Sequence, residues 1–304
     1  MSGSGRSQRV GFGLATVVTT LWLALTAPAS RAQLSDIERE WRTVQQAQSA
    51  HARGREAAQR GDKTVAEAEL QKAADLYRQL IEQNPLRKDL YAPLADTLIR
   101  RGNSAAAYAL LIGQTRGGNK EPAVQLQLVR ALQGMRRYRH ALEEAQKLAQ
   151  TDPKNLVLQA LIGEVAAEAA EAALAIKVLS QVVAQPPQKG ALAEAGLDLT
   201  ALRLLRARLL LSAKRPGEAA TDLTELGKAG NAEALVLLGE VQLLNGRFDE
   251  AVAVLRRCLS TPAGSAPPLR AKATVLLAQA LARAGRSKDA IAALREAGDD
   301  PQVM

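Results

Sequence analysis

The stretch Glu121–Pro153, EPAVQLQLVRALQGMRRYRHALEEAQKLAQTDP, decides the fold. Val124, Leu128, Ala131 and Leu132 recur at helical spacing, Gly134-Met135-Arg136-Arg137 interrupts the run, and Tyr138, Ala141, Leu142, Ala145, Leu148 and Ala149 resume it. Pro153 closes the unit before the next helix can continue it. The stretch reads as helix, turn, helix. Neither helix can bury its apolar stripe alone, so the unit needs neighbours of its own kind. The sequence supplies them: Ala73, Ala107, Ala141 and Ala175 each stand 34 residues from the next.

Hydrophobic residues make up 47% of the 304 residues, but aromatics only 3%. The core is therefore built from Ala, Leu and Val, a composition that suits closely packed helices and is poor for a β-sandwich. The fold class is all-α. Residues 1–32 read as a secretory leader: Arg6 and Arg9 form a basic start, Val10 to Ala27 is uncharged and mostly apolar, and Ser30-Arg31-Ala32 ends in a small-x-small pattern. Cleavage is expected after Ala32, with Ala29 as the alternative, which places the mature protein in the periplasm. An uncleaved run of 18 residues would instead anchor it in the inner membrane, facing the periplasm.

Removing Arg6, Arg9 and Arg31 leaves 37 basic against 31 acidic residues. The excess is local, since residues 87–153 hold 11 basic and 6 acidic side chains. Only Tyr91, Tyr108 and Tyr138 fall among these charges, too few aromatic faces to stack successive bases, which makes nucleic acid a poor expectation as partner. The single Cys258 cannot close an internal disulfide, so stability must come from helix packing.

The chain divides into a capping segment at 33–49, four units over 50–185, a Pro-containing linker at 186–192 and three units over 193–301. Turns are expected at Arg60-Gly61-Asp62, Arg101-Gly102-Asn103, Lys214-Arg215-Pro216-Gly217, Asn245-Gly246-Arg247 and Ala284-Gly285-Arg286, with Ala170 standing where a turn Gly is usual. The helix after Gly61 runs about two turns longer than its later counterparts. Leu34, Ile37, Trp41 and Val44 share one face of the first helix, with Trp41 expected to anchor it by packing.

The units resemble tetratricopeptide repeats, whose pattern is W-x2-L-G-x2-Y, then Ala, x3, an aromatic and a closing Pro over about 34 residues. Leu238-Gly239, Gly246 and Ala251 match it in the sixth unit, and Tyr91, Leu94, Ala95, Gly102 and Ala107 in the second. The fifth departs, with Arg206-Ala207 at the Leu-Gly position. The resemblance implies a right-handed α-solenoid of about seven pairs, and a concave groove lined by the first helix of each pair.

An enzyme needs a constellation of reactive groups, and the sequence offers none: no HExxH, no CxxC and no Gly-rich phosphate loop. His51 and His140 lie in different units, and Cys258 falls where the family buries a small side chain. No catalytic residue, cofactor or metal ligand is expected. What remains is a surface. Two residues past the Leu of Leu-Gly, the position the resemblance points into the groove, stand Arg55, Asp96, Arg130, Glu164, Arg208, Glu240 and Gln279. The sign alternates through six of these units, which suits either a groove for a mixed-charge segment or a ladder of ion pairs between neighbouring first helices. The Lys and Asn clamp that such repeats use for C-terminal carboxylates is replaced here by His51 and Arg55. A basic patch is expected from Arg100, Arg101, Arg116, Lys120, Arg130, Arg136, Arg137 and Arg139, with Glu121 the only acid among residues 100–139. These readings together describe a non-enzymatic scaffold of the bacterial cell envelope, serving a secretion, outer-membrane assembly or surface-polysaccharide machine through acidic or mixed-charge segments of other envelope proteins. A glycan-binding or polysaccharide-processing role is the alternative, weakened by the scarcity of aromatic faces for sugar rings.

Overall fold

The computed structural model describes residues 28–188 and 190–298, and every regular element among them is helical. The leader read at residues 1–32 falls outside the described residues as far as Ala27. From Pro28 the chain enters α1. Contacts divide the chain into two bodies, one ending at Met135 and the other beginning at Arg136, so the turn of the Glu121–Pro153 unit is where the division falls.

The N-terminal body holds α1 (Pro28–Gln59), α2 (Lys63–Gln83), a 3-10 turn (Lys88–Leu90), α3 (Tyr91–Arg100), α4 (Ser104–Arg116) and α5 (Pro122–Gly134). The C-terminal body holds α6 (Tyr138–Gln150), α7 (Leu156–Glu168), α8 (Ala172–Ala184), the short α9 (Ala191–Glu194), α10 (Leu199–Ser212), α11 (Pro216–Lys228), α12 (Ala232–Leu244), α13 (Phe248–Leu259), a 3-10 turn (Ala263–Ser265), α14 (Pro267–Arg283) and α15 (Ser287–Gly298). The ten extra residues that stretch the spacing between Ala175 and Ala219 are taken up by the loop carrying α9. The closing Pro301 lies outside the described residues.

One device closes the helix pairs. Gly61, Gly102, Arg136, Ala170, Lys214, Gly246 and Gly285 all have φ between 58° and 82°, the left-handed region that ends a helix. The residue after it donates its N–H to the carbonyl of the last helical turn: Asp62 to Ala57 at 3.0 Å, Asn103 to Leu98 at 2.9 Å, Glu171 to Ala166 at 2.8 Å and Arg247 to Gln242 at 2.9 Å. Asp62 and Asn103 then cap the next helix through their side chains, accepting from Val65 N and Ala106 N. Arg136, Ala170 and Lys214 hold this conformation with a Cβ, which costs roughly 1–2 kcal/mol each relative to Gly.

Five residues beyond the left-handed position comes the small residue that permits close helix approach. Ala107, Ala141, Ala175, Ala219 and Ala251 are fully buried. In the first pair that position is Ala66 rather than Ala73, a correction to the periodic reading. The proof lies in a glycine contact. A Cβ on Gly163 would stand 2.6 Å from Leu179 and one on Gly239 2.6 Å from Leu255, each leucine four residues past the small Ala. The counterpart in the first pair is Gly54, whose Cβ would stand 2.7 Å from Leu70, four residues past Ala66. Because α2 has 21 residues where α4 has 13, Ala73 falls two turns farther along the same buried face and keeps the 34-residue interval by coincidence. Leu70, Tyr77 and Leu80 on the same helix are buried with it.

Trp41 does not anchor α1 by packing, since it is 63% exposed and Ile37 is 61% exposed. The buried face of α1 runs instead through Ala47, Ala50 and Ala57, so the apolar stripe beginning at Ile37 lies off the core. The loop after α2 holds α1 by charge, through an ion pair of Arg87 with Glu40.

Candidate functional site

The position expected to face a partner lies eleven residues before each small Ala, on the first helix of each pair. In the N-terminal body these residues are Arg55 on α1, Asp96 on α3 and Arg130 on α5. Asp96 is not paired along a simple ladder. Its Oδ2 meets His51 Nε2 at 2.9 Å and Arg100 Nε at 2.8 Å. His51 Nδ1 meets Thr97 Oγ1 at 2.9 Å, and the Thr97 hydroxyl donates to Pro93 O at 2.8 Å. Burial by itself would raise the Asp96 carboxyl, but the hydrogen bonds and charges of His51 and Arg100 outweigh it and hold it below the ordinary carboxylate range. Burial, with the Asp96 charge second, pushes the nearby Tyr77 phenol up to about 12.

Sequence reasoning missed this cluster because its members lie 45 residues apart, and His51 was set aside as one of two isolated histidines. A hydroxyl, an imidazole and a carboxylate in line suggest nucleophilic chemistry on paper. Thr97, however, is completely buried, and its proton is spent on Pro93 O, so its oxygen meets no substrate. The cluster ties α1 to α3. It also occupies His51, which is thereby removed from any role as a carboxylate clamp.

In the C-terminal body the charges follow a rule. Arg208 pairs with Glu233 on α12, and Glu240 on α12 pairs with Lys272 on α14 at 3.4 Å. Both partners in these pairs, Glu233 and Lys272, lie eighteen residues before their own small Ala. The ladder between first helices therefore exists in this body, but it runs diagonally rather than between equivalent positions. Glu164 is half-buried and Gln279 exposed. Arg206, the departure in the fifth unit, is held by Asp222 at 2.6 Å, with side-chain exposures of 13% and 4%. The charge replaces the usual Leu because its partner stands on the facing helix of the same pair.

The basic run is less basic in space than in sequence. Arg101 bonds to Glu67 at 2.8 Å, Arg100 is taken by Asp96, and Arg130 donates to Gln133 at 3.0 Å. Arg101, Arg116 and Lys120 belong to the N-terminal body, while Arg136, Arg137 and Arg139 belong to the C-terminal one. Cys258 is buried with its Sγ against Ala232 O at 3.3 Å, and burial pushes its thiol up. It is therefore a poor nucleophile. No group of three or more metal-ligating side chains occurs among the described residues. No helix among them is long and apolar enough to cross a membrane.

Residues 204–266 and 263–303 match the tetratricopeptide repeat family model. Residues 204–303 are tetratricopeptide repeats. The chain's α-solenoid architecture is shared with a tetratricopeptide repeat protein from Parabacteroides merdae ATCC 43184, 14% identical, covering 84% of this chain and 93% of that one at a TM-score of 0.50. It is shared likewise with PilF of Pseudomonas aeruginosa, 17% identical, covering 73% of this chain and 94% of that one at a TM-score of 0.51. At these identities the likeness shows the fold alone. No curated protein matches the sequence. Tetratricopeptide-repeat proteins bind peptides or other proteins and are generally non-catalytic scaffolds, so the repeats imply an interaction scaffold.

Proposed function

We propose that this protein is a non-enzymatic scaffold of the bacterial cell envelope, exported to the periplasm, whose N-terminal body receives acidic or mixed-charge segments of other envelope proteins on the face of α1, α3 and α5. The observation that carries the reading is the charge arrangement on those helices. Arg55, Arg100 and Arg130 stand at or one turn beyond the partner-facing position, and the single acid among them, Asp96, turns its charge toward His51 and Arg100. The remaining balance is positive. An acidic chain laid across this face finds guanidinium groups on successive first helices. In the C-terminal body the equivalent charges satisfy each other, as the Arg208–Glu233 and Glu240–Lys272 pairs show, so that body offers a partner less. The basic start, the apolar run and the small-x-small end of residues 1–32 support export.

A photo-crosslinking residue at position 55 or 130 tests the reading in living cells, with position 78 on α2 as the control. The expected adduct forms from 55 and 130, not from 78, and its partner peptide is acidic and belongs to an envelope protein. Intact-mass measurement of the recovered protein should show a chain beginning at Gln33. Adducts that form equally from position 78, or only with basic segments, would remove the groove from the account, and a full-length mass in the membrane fraction would remove cleavage.

A further inference from the structure

We infer that His51 is a proton-operated charge on the α1–α3–α5 face: it bonds Asp96 and Thr97 with both ring nitrogens protonated, and losing one proton takes a positive charge off the face without releasing α1 from α3. What this does to a partner rests on the acidic-segment function proposed above. The hydrogen bonds assign the protons. The ionised Asp96 carboxylate, whose Oδ2 stands 2.9 Å from Nε2, only accepts, so Nε2 carries a proton. Thr97 has one hydroxyl proton and gives it to Pro93 O at 2.8 Å, so Thr97 Oγ1, 2.9 Å from Nδ1, accepts as well. Nδ1 therefore carries the second proton, and the ring is an imidazolium. The proton that departs to solvent is the one on Nδ1, because Nε2 faces an acceptor alone. The Thr97 hydroxyl then turns from Pro93 O and donates to Nδ1. The tie between the helices survives, and the charge is gone.

The other groups beside the ring keep their state. Tyr77 of α2 meets it edge-on, with ring centroids 6.5 Å apart, and burial, with the Asp96 charge second, pushes its phenol up to about 12. Burial acts to raise the Asp96 carboxyl, but the bonds of His51 and Arg100 hold it below the ordinary range, so it stays ionised. Arg100 of α3, and Arg55 one turn farther along α1, are guanidinium groups that stay charged. Arg53, two residues on and so on the far side of α1, pairs with Glu69 of α2 at 2.9 Å. Between about pH 5 and 8 an imidazole is the one side chain in this set that changes charge. His51 and Arg100 against Asp96 leave a net positive charge with the ring protonated, and none without it. With side-chain exposures of 13% and 20%, His51 and Asp96 can exchange protons with water and are still screened less than a surface pair. The sign follows: an acidic segment on Arg55 and Arg130 is held more tightly on the acid side of the imidazole titration and less tightly above it.

Two readouts on the full chain test the inference. The chain has only His51 and His140, so His140→Gln leaves a single ring to follow by nitrogen-15 NMR. Both nitrogens should be protonated at about pH 5 and Nδ1 bare at about pH 9, outside the imidazole range, while the backbone amides of α1 and α3 beyond the ring's neighbours stay in place. Anisotropy of a rhodamine-labelled peptide of alternating cysteic acid and Ser, whose sulfonates are charged at both values, should show binding about two- to fivefold tighter at the lower pH, the effect of one exposed charge contact. Its midpoint should coincide with that of the ring. His51→Gln, which keeps a donor and an acceptor but carries no charge, should bind equally at both, and His140→Gln should follow the parent. A bare Nδ1 at the lower pH, a displacement of α1 from α3 at the higher one, equal affinity at both in the parent, or a pH dependence that survives His51→Gln would each overturn the inference. Binding at neither pH would instead remove the acidic-segment function from the face, and the ring spectrum would still decide whether His51 holds and releases its proton with the helices in place.

Discussion

Asp222→Ala should destabilise the C-terminal body by about 3–5 kcal/mol, the cost of leaving a buried guanidinium without its counterion. Arg206 and Asp222 are almost out of solvent, and two guanidinium nitrogens reach one carboxylate oxygen at 2.6 and 2.7 Å. Removing the carboxylate leaves the nearly buried Arg206 without its hydrogen-bonded counterion, and Glu218, the other acid whose charge reaches it, is exposed and already bonded to Arg215. The pair itself need not be favourable compared with hydrocarbon. Arg206→Leu with Asp222→Leu should therefore restore most of the stability, or exceed the parent, because it returns the usual Leu of the repeat to that position. Thermal unfolding followed by circular dichroism distinguishes these outcomes. A loss below about 1 kcal/mol for Asp222→Ala would mean that water reaches Arg206 and that the pair is in effect a surface one.

The second large effect concerns Gly239 and Leu255. A Cβ on Gly239 would meet Leu255 Cγ and Cδ2 at 2.6 Å, and Leu255 is completely buried, so the leucine has no room to retreat. Leu255→Ala alone should cost about 2–5 kcal/mol, through lost burial and the cavity left behind. Gly239→Ala alone should cost about 1–3 kcal/mol from overpacking, partly offset by the better helix propensity of Ala, worth about 1 kcal/mol. In the Leu255→Ala background the clash is gone and only the propensity gain remains, so Gly239→Ala should become neutral or stabilising. That reversal of sign is the expected result of the double-mutant cycle. Strict additivity would show that the two residues do not share one contact.

Much of this architecture was legible because each turn is decided locally. Gly61, Gly102, Gly246 and Gly285 announce left-handed positions, and the following Asp62 and Asn103 announce caps. Ala170 was readable as a stand-in for Gly only through its place in the period. The first pair misled because Ala66 and Ala73 lie on the same face of α2, two turns apart, and spacing cannot choose between them. Only the contact of Gly54 with Leu70 does. Trp41 misled for a related reason: the stripe Leu34, Ile37, Trp41 and Val44 has helical periodicity, but periodicity does not say which stripe meets the core.

The charged side chains were the least legible part. Asp96 finds His51, Arg101 finds Glu67 and Arg208 finds Glu233, all across helices whose register the sequence does not state. A run that holds one acid in forty residues is thus partly neutralised by acids from outside it. Arg206 was visible as a break in the pattern, whereas Asp222, sixteen residues on, gave no sign of being its partner.

The central claim is that an acidic segment binds the α1–α3–α5 face through Arg55 and Arg130. The most direct test is an anisotropy titration of a fluorescein-labelled peptide of alternating Glu and Ser against the parent chain and against Arg55→Glu with Arg130→Glu. It should be run at about 0.1 M and about 1 M salt, where the Debye length falls from ~10 to ~3 Å. The parent should bind at low salt and lose that binding at high salt, and the folded double variant should bind on the order of tenfold more weakly at low salt, with a flatter salt dependence. Unchanged affinity and an unchanged salt slope in the folded variant would contradict the account.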